Sequence, residues 1–386
     1  MFLIGTSTAT MNIQFDSVRK YSSSLKITAF LLLAMVNSAS SMTTKCPFSR
    51  IFLLGDGFSD IGTSANVVPG LSIPSTRFPY GITFPGTPNG RWSDGRVSTE
   101  FVAQDFELPD IRPYFPANNS LRNNGVIFAV ARSPVLDLEF FRSRGVDFPP
   151  YAVPLKVQLQ WIRSYLNSVC SNSTDCSAKI LQDSLVILGY EDGNDIGYPL
   201  SQGKSIEEVK AFVPLIRNTI IDAARELIKM GATRVVITGS NPLGCFPYIL
   251  TALDNSSLAA YDPLGCLKSV NNLIISKNND LNLAVTRLSL EFLNATILFA
   301  DLYTPLQTII STTALLGTNP LKACCGIGGR YNFDENRFCA SPGVPFCANP
   351  NRYIFWDGLH LTQETFDRIT SVVLPVFRPL LKCRLI

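Results

Sequence analysis

The chain has 386 residues, 46% of them hydrophobic, which is enough to bury a large core. Its net charge of +3 and pI near 8.3 are mild and dispersed, and no basic run with interleaved aromatics occurs, so a nucleic-acid partner is excluded. The first element is a targeting segment. Arg19, Lys20 and Lys26 precede an apolar run from Ile27 to Val36, and small residues follow at Ser38 to Ser41. That order is the pattern of a secretory signal, and the run is about half the ~20 residues of a membrane span. Residues 1–40 are therefore read as a signal peptide and 41–386 as one domain, with no membrane span after cleavage. The stretch before Arg19 is long for a signal, which makes Met11 a second candidate start.

Short aliphatic runs then alternate with helical patterns. Strands are predicted at Ile51–Gly55, Gly125–Val130, Leu185–Gly189, Arg234–Gly239 and Thr296–Asp301. Each is nearly unbroken in apolar residues, as strands covered on both faces should be. Helices are predicted at Pro154–Val169, Ile206–Met230 and Pro263–Phe292, with a last one from Gln363 to Leu381 interrupted at Pro375. Ser205 caps the second, Glu207 and Glu208 lie in its first turn, and Gly231 ends it. Alternation over the whole mature chain predicts one doubly wound α/β domain with a central parallel sheet. Ligands in such folds bind at the carboxyl ends of the strands, where Gly57, Arg132 and Asn194 fall.

All ten cysteines follow the targeting segment, and the even number permits complete pairing in an oxidising compartment. Cys170 and Cys176 enclose a short polar loop and form the expected local pair. Cys324, Cys325, Cys339 and Cys347 cluster in a Gly- and Pro-rich stretch, but without histidine or a paired Cys-x-x-Cys they make a poor zinc site. No cofactor is expected. Sequons begin at Asn118, Asn172, Asn255 and Asn294, which suits a secreted glycoprotein.

Two segments carry the chemistry. Ile51-Phe52-Leu53-Leu54-Gly55-Asp56-Gly57-Phe58-Ser59-Asp60 reads as a buried strand entering a tight turn. Trp356-Asp357-Gly358-Leu359-His360-Leu361-Thr362 contains the chain's single histidine, with an aspartate three residues before it that can orient the imidazole. With Asn89 to Arg96, Asn241 to Cys245, Cys324-Cys325-Gly326 and Tyr331-Asn332-Phe333, they resemble the GDSL (SGNH-type) esterase and lipase family. The likeness covers nearly all of the mature chain and is strongest to the plant branch that includes alkaloid-ester hydrolases. It implies a flavodoxin-like three-layer α/β/α domain.

The resemblance also implies roles, residue by residue. The family's nucleophilic serine follows Gly-Asp, and here that position is Gly57. The oxyanion-hole glycine falls on Arg132, the oxyanion-hole asparagine on Asn194, and the acid/base pair on Asp357 and His360. Asp192 stands where the family usually has another glycine. Ser59, two residues past Gly57, should lie at the start of a helix and point elsewhere. Arg132 calls for a compensating carboxylate, with Asp192 and Asp56 as candidates, or for an anionic ligand. Asn194 should direct its amide into the pocket, and His360 should face it.

Three functions follow from that inventory. The first is a repurposed, non-esterase acid/base catalyst acting on a plant specialised metabolite. The second is an inactive pseudoenzyme binding a small molecule, anionic in the Arg132 reading, or a partner. The third is a weak ester hydrolase in which His360 activates water. The secretory route would place the protein outside the cell or in the vacuole.

Overall fold

The computed structural model describes residues 44–385, apart from 69, 109–110, 115–123, 191–192, 255–256 and 317–318. The 1–40 signal and the sequons at Asn118 and Asn255 lie outside these residues. The centre is β1 (Arg50–Gly55), whose aliphatic run is buried on both faces. It pairs in parallel with β3 (Gly125–Ile127) on one side and with β4 (Ser184–Gly189) on the other. The short edge strand β2 (Arg112–Pro113) flanks β3; β5 (Arg234–Thr238) and β6 (Thr296–Ala300) continue beyond β4. The order is β2-β3-β1-β4-β5-β6, all parallel. The chain leaves β1 first to one side and then to the other, so the topological switch point lies at the end of β1.

Alternate residues of β1 serve two helical layers. Phe52 meets Tyr165 of α3 (Leu155–Val169). Leu53 faces instead the layer of α1 (Ser98–Asp105) and α11 (Gln363–Leu380). Between these in sequence come α2 (Leu138–Arg142), α4 (Thr174–Gln182), α5 (Asn194–Ser201), α6 (Ile206–Lys210), α7 (Val213–Lys229), α8 (Pro247–Ala252), α9 (Lys268–Glu291) and α10 (Tyr303–Leu315). α7 packs between α3 and α9, and α11 packs between α1 and α10. Residues 45–384 form one compact unit.

Several boundaries differ from the sequence reading. The expected single helix 206–230 breaks at Ala211 and Phe212, because Pro214 fits the first turn of a new helix better than a helix interior. Ser205 and Glu208 form the reciprocal cap of α6. The last helix is not interrupted: it runs through Pro375 and Pro379, held by its buried face. β3 stops at Ile127, although Phe128 and Val130 still donate to Leu53 and Gly55 carbonyls.

All ten cysteines pair, as Cys46–Cys383, Cys170–Cys176, Cys245–Cys266, Cys324–Cys347 and Cys325–Cys339. The sulfurs of the Gly- and Pro-rich cluster are thus spent on two disulfides. Asn172 and Asn294 are exposed, as acceptor sites need to be. No helix among the described residues is long and apolar enough to cross a membrane.

Candidate active site

The turn after β1 is fixed from both sides. The Gln158 side chain brackets Gly55, accepting from its N–H at 2.8 Å and donating to its carbonyl at 2.9 Å. Gly55 approaches β4 so closely that a Cβ would lie 2.3 Å from the Gly189 oxygen, so only glycine fits. The Asp56 N–H donates to that same oxygen, and its carboxylate accepts from the Phe58 N–H at 3.3 Å. Gly57 is buried inside this turn. Ser59 is buried too, with its hydroxyl 3.5 Å from Ser98 on α1, toward the α1/α11 layer.

The second component is the loop before α11. One Asp357 oxygen accepts from the Leu359 and His360 amides at 2.9 and 2.8 Å. The other accepts from His360 Nδ1 at 2.8 Å and from the Tyr80 hydroxyl at 2.6 Å. Burial alone would raise the Asp357 pKa, but His360 and these hydrogen bonds outweigh it and hold the carboxyl below its usual range. Occupying Nδ1 in this way makes Nε2 the basic nitrogen of a neutral ring. Gly358, at φ +93°, cannot be replaced without striking the Phe333 ring. His360 is 1% exposed rather than facing an open pocket, with the Trp92 ring 5.0 Å and the Phe58 ring 6.4 Å away.

Arg132 sits on the loop after β3 at φ +61°, a conformation unusual for a residue with a side chain. Its expected carboxylate partner is replaced by phenols. The guanidinium donates to Tyr198 at 2.6 Å and shares the cavity wall with Tyr151, to which it is electrostatically coupled. It lies 4.9 Å from the Phe338 ring and 5.5 Å from the Trp92 ring. Aromatic faces and phenol oxygens lower the cost of keeping the charge away from bulk water. Burial would lower its pKa, yet Tyr198, Tyr151 and Asp357 raise it further, so the group stays cationic. Its Nε is buried and makes no hydrogen bond among the described residues. Asp56 is engaged in the turn instead, and Asp192 lies outside the described residues.

Arg132, Tyr151, Tyr198, Tyr248, Phe333 and Phe338 line a cavity of about 620 Å³, with Asp334 and Glu335 also on its wall. Asn194 does not reach it as the sequence predicts. Gly193 in the left-handed region starts α5, and the Asn194 amide donates to the Ser133 carbonyl at 3.1 Å. Asn194 thus ties the end of β4 to the Arg132 loop, and with Asp56 it borders a smaller, separate enclosure. A Gly-Asp turn at the switch point and a buried Asp-x-x-His pair mark out a known group of hydrolases, and residues 51–371 match the family model for GDSL-like lipase/acylhydrolase.

The chain belongs to this GDSL family. Acetylajmalan esterase of Rauvolfia serpentina is 44% identical over 342 residues, which cover 88% of each chain. Sinapine esterase of Brassica napus is 36% identical over 360 residues, covering 91% of this chain and 92% of that one. A GDSL esterase/lipase of Arabidopsis thaliana is 34% identical over 363 residues, covering 93% of both. The chain is therefore an esterase-like member of the family.

Sequence reasoning missed several members of the site. Tyr80 reaches Asp357 across 277 positions, and nothing local marks it out. Trp92 lies inside the recognised Asn89 to Arg96 segment, but only the fold places its ring on His360. Tyr151 and Tyr198 come from separate segments and meet only at Arg132. Asp60 and Asp195 adjoin noticed residues, and proximity to the turn and to Asn194 is their one sequence signal.

Proposed function

We propose that this GDSL-family protein is an acid/base catalyst for a small molecule and does not form the acyl-serine intermediate that the family resemblance implies. The observation that carries this reading is the intact His360–Asp357 pair, closed at 2.8 Å and braced by Tyr80, beside a turn in which position 57 has no hydroxyl. His360 Nε2 takes or returns the proton. Arg132, on the cavity wall and cationic, holds the substrate's carbonyl or anionic oxygen. Asp334 and Glu335 on the same cavity favour a dipolar ligand over a polyanion. Proton abstraction, elimination, cyclisation and isomerisation fit these parts. The names of the relatives point to a plant specialised metabolite as substrate.

The near-complete burial of His360 behind Trp92 supports a second reading, a binding protein whose histidine is inert. A weak esterase working through His-activated water is disfavoured on magnitude. Removing a triad nucleophile costs on the order of 10⁶ in turnover and leaves ~10³ over water. The signal, the five disulfides and the exposed sequons at Asn172 and Asn294 support entry into the secretory pathway.

The test is untargeted metabolite turnover in ¹⁸O-water, with His360→Ala as control. The proposal expects substrates consumed only by the wild type, with no label in a carboxylate product. Labelled carboxylate would show hydrolysis, and equal profiles for both proteins would favour the binder. A fluorophosphonate probe should label no residue stoichiometrically; labelling at Ser59 would overturn the claim that covalent chemistry is lost.

A further inference from the structure

The smaller enclosure, about 10 Å³, is bordered by Asp56, Tyr190, Asn194, Asp195 and Lys277. Lys277 arrives from α9 and is 4% exposed. Its ammonium donates to the Ser240 hydroxyl at 2.7 Å. The next residue, Asn278, clamps the Ser240 backbone, accepting from its N–H at 2.9 Å and donating to its carbonyl at 2.8 Å. The cation is thus held in place, with two buried carboxylates, Asp56 and Asp195, sharing its enclosure. Asp195 receives the Val135 and Leu136 amides, both at 2.8 Å. Those amides belong to the loop that carries Arg132, and Asp60 grips its near end through the Ala131 amide at 2.9 Å.

We propose that Lys277 is a positioning residue: it keeps Asp195 ionised, Asp195 anchors the loop of Arg132, and proton uptake at Asp195 releases that anchor. An ionised carboxylate is acceptor-only and can receive both amides, whereas a protonated one presents a hydroxyl and loses acceptor strength. The groups facing one another here are Asp56, Asp195, Lys277 and the Tyr190 hydroxyl, which is buried and makes no hydrogen bond among the described residues. Burial pushes Asp195 up to about 6, opposed by the Val135 and Leu136 amides and then by the Lys277 charge, and pushes Lys277 down to about 8, opposed by Asp195 and Asp56, so both are charged between those values. Release of the loop backbone requires no contact between Arg132 and a ligand.

The experiment is amide hydrogen exchange of the full chain by mass spectrometry, corrected for the intrinsic pH dependence of exchange. In the wild type, the peptide spanning 131–138 should lose protection about tenfold as pH falls through about 6, while peptides of α9 keep theirs. Asp195→Asn should abolish the step. Lys277→Met should move its midpoint up by about one pH unit, since the carboxylate loses its compensating cation. A flat wild-type profile overturns the proposal and needs no variant to fold. So does a step that survives Asp195→Asn, a midpoint unmoved in Lys277→Met, or loss of α9 protection together with the loop.

Discussion

Replacing Lys277 with methionine isolates the cost of a buried charge. The lysine has an ordinary pKa of 10.5, and its folded value is pushed down to about 8, chiefly by burial and despite Asp195 and Asp56. Below about pH 8 the amine is protonated in both the folded and the unfolded chain, and the penalty is constant. Between about 8 and 10.5 the unfolded chain holds the proton and the folded chain does not. The unfolded state then binds more protons, so stability rises with pH across that window. The rise is 2.5 units at ~1.36 kcal/mol each, or about 3 kcal/mol. Methionine fills a similar volume without the proton. Urea unfolding of both proteins across the window should show the wild type gaining about 3 kcal/mol relative to Lys277→Met. Tyrosines that ionise in this range do so in both proteins and cancel in the difference. A difference that stays flat would show that the amine is solvated in the folded state, and would refute the buried-cation reasoning.

Three further outcomes are expected. If Arg132 holds the oxyanion-glycine position that the family resemblance implies, Gly57→Ser alone should leave p-nitrophenyl acetate hydrolysis low, and Gly57→Ser with Arg132→Gly should exceed it; full recovery by the single change would place Arg132 outside the site. Tyr80→Phe removes one donor from a buried carboxylate and should lower stability by about 1–3 kcal/mol in urea melts. Because the Asp357 pKa is depressed, its stabilisation is present above the ordinary carboxylate range and is lost as pH falls through the folded value, so the Tyr80→Phe deficit should shrink in acid. Replacing Cys46 and Cys383 by serine should cost more than replacing Cys170 and Cys176, by about 3.5 kcal/mol on chain entropy, since the bridges span 337 and 6 positions; equal losses in thermal melts would contradict this.

The sequence alone determined the sheet. Five of the six strands of the parallel sheet are nearly unbroken apolar runs, and burial on both faces leaves such runs few alternatives to a parallel sheet. It also determined the Asp357–His360 pair, because a spacing of three within one loop fixes the contact locally. The Cys170–Cys176 bridge was legible for the same reason. The two-residue strand Arg112–Pro113 was not, since so short an edge carries no periodicity. Nor were the environments of the charged residues. Arg132 met tyrosines from two distant segments instead of a carboxylate, Asn194 spent its amide on Ser133, and Lys277 came from α9 to share an enclosure with Asp56 and Asp195. A charge can be read from sequence as needing a partner, but the partner depends on which loops converge at the ends of the strands. That convergence is set by the packing of the whole sheet and its two helical layers.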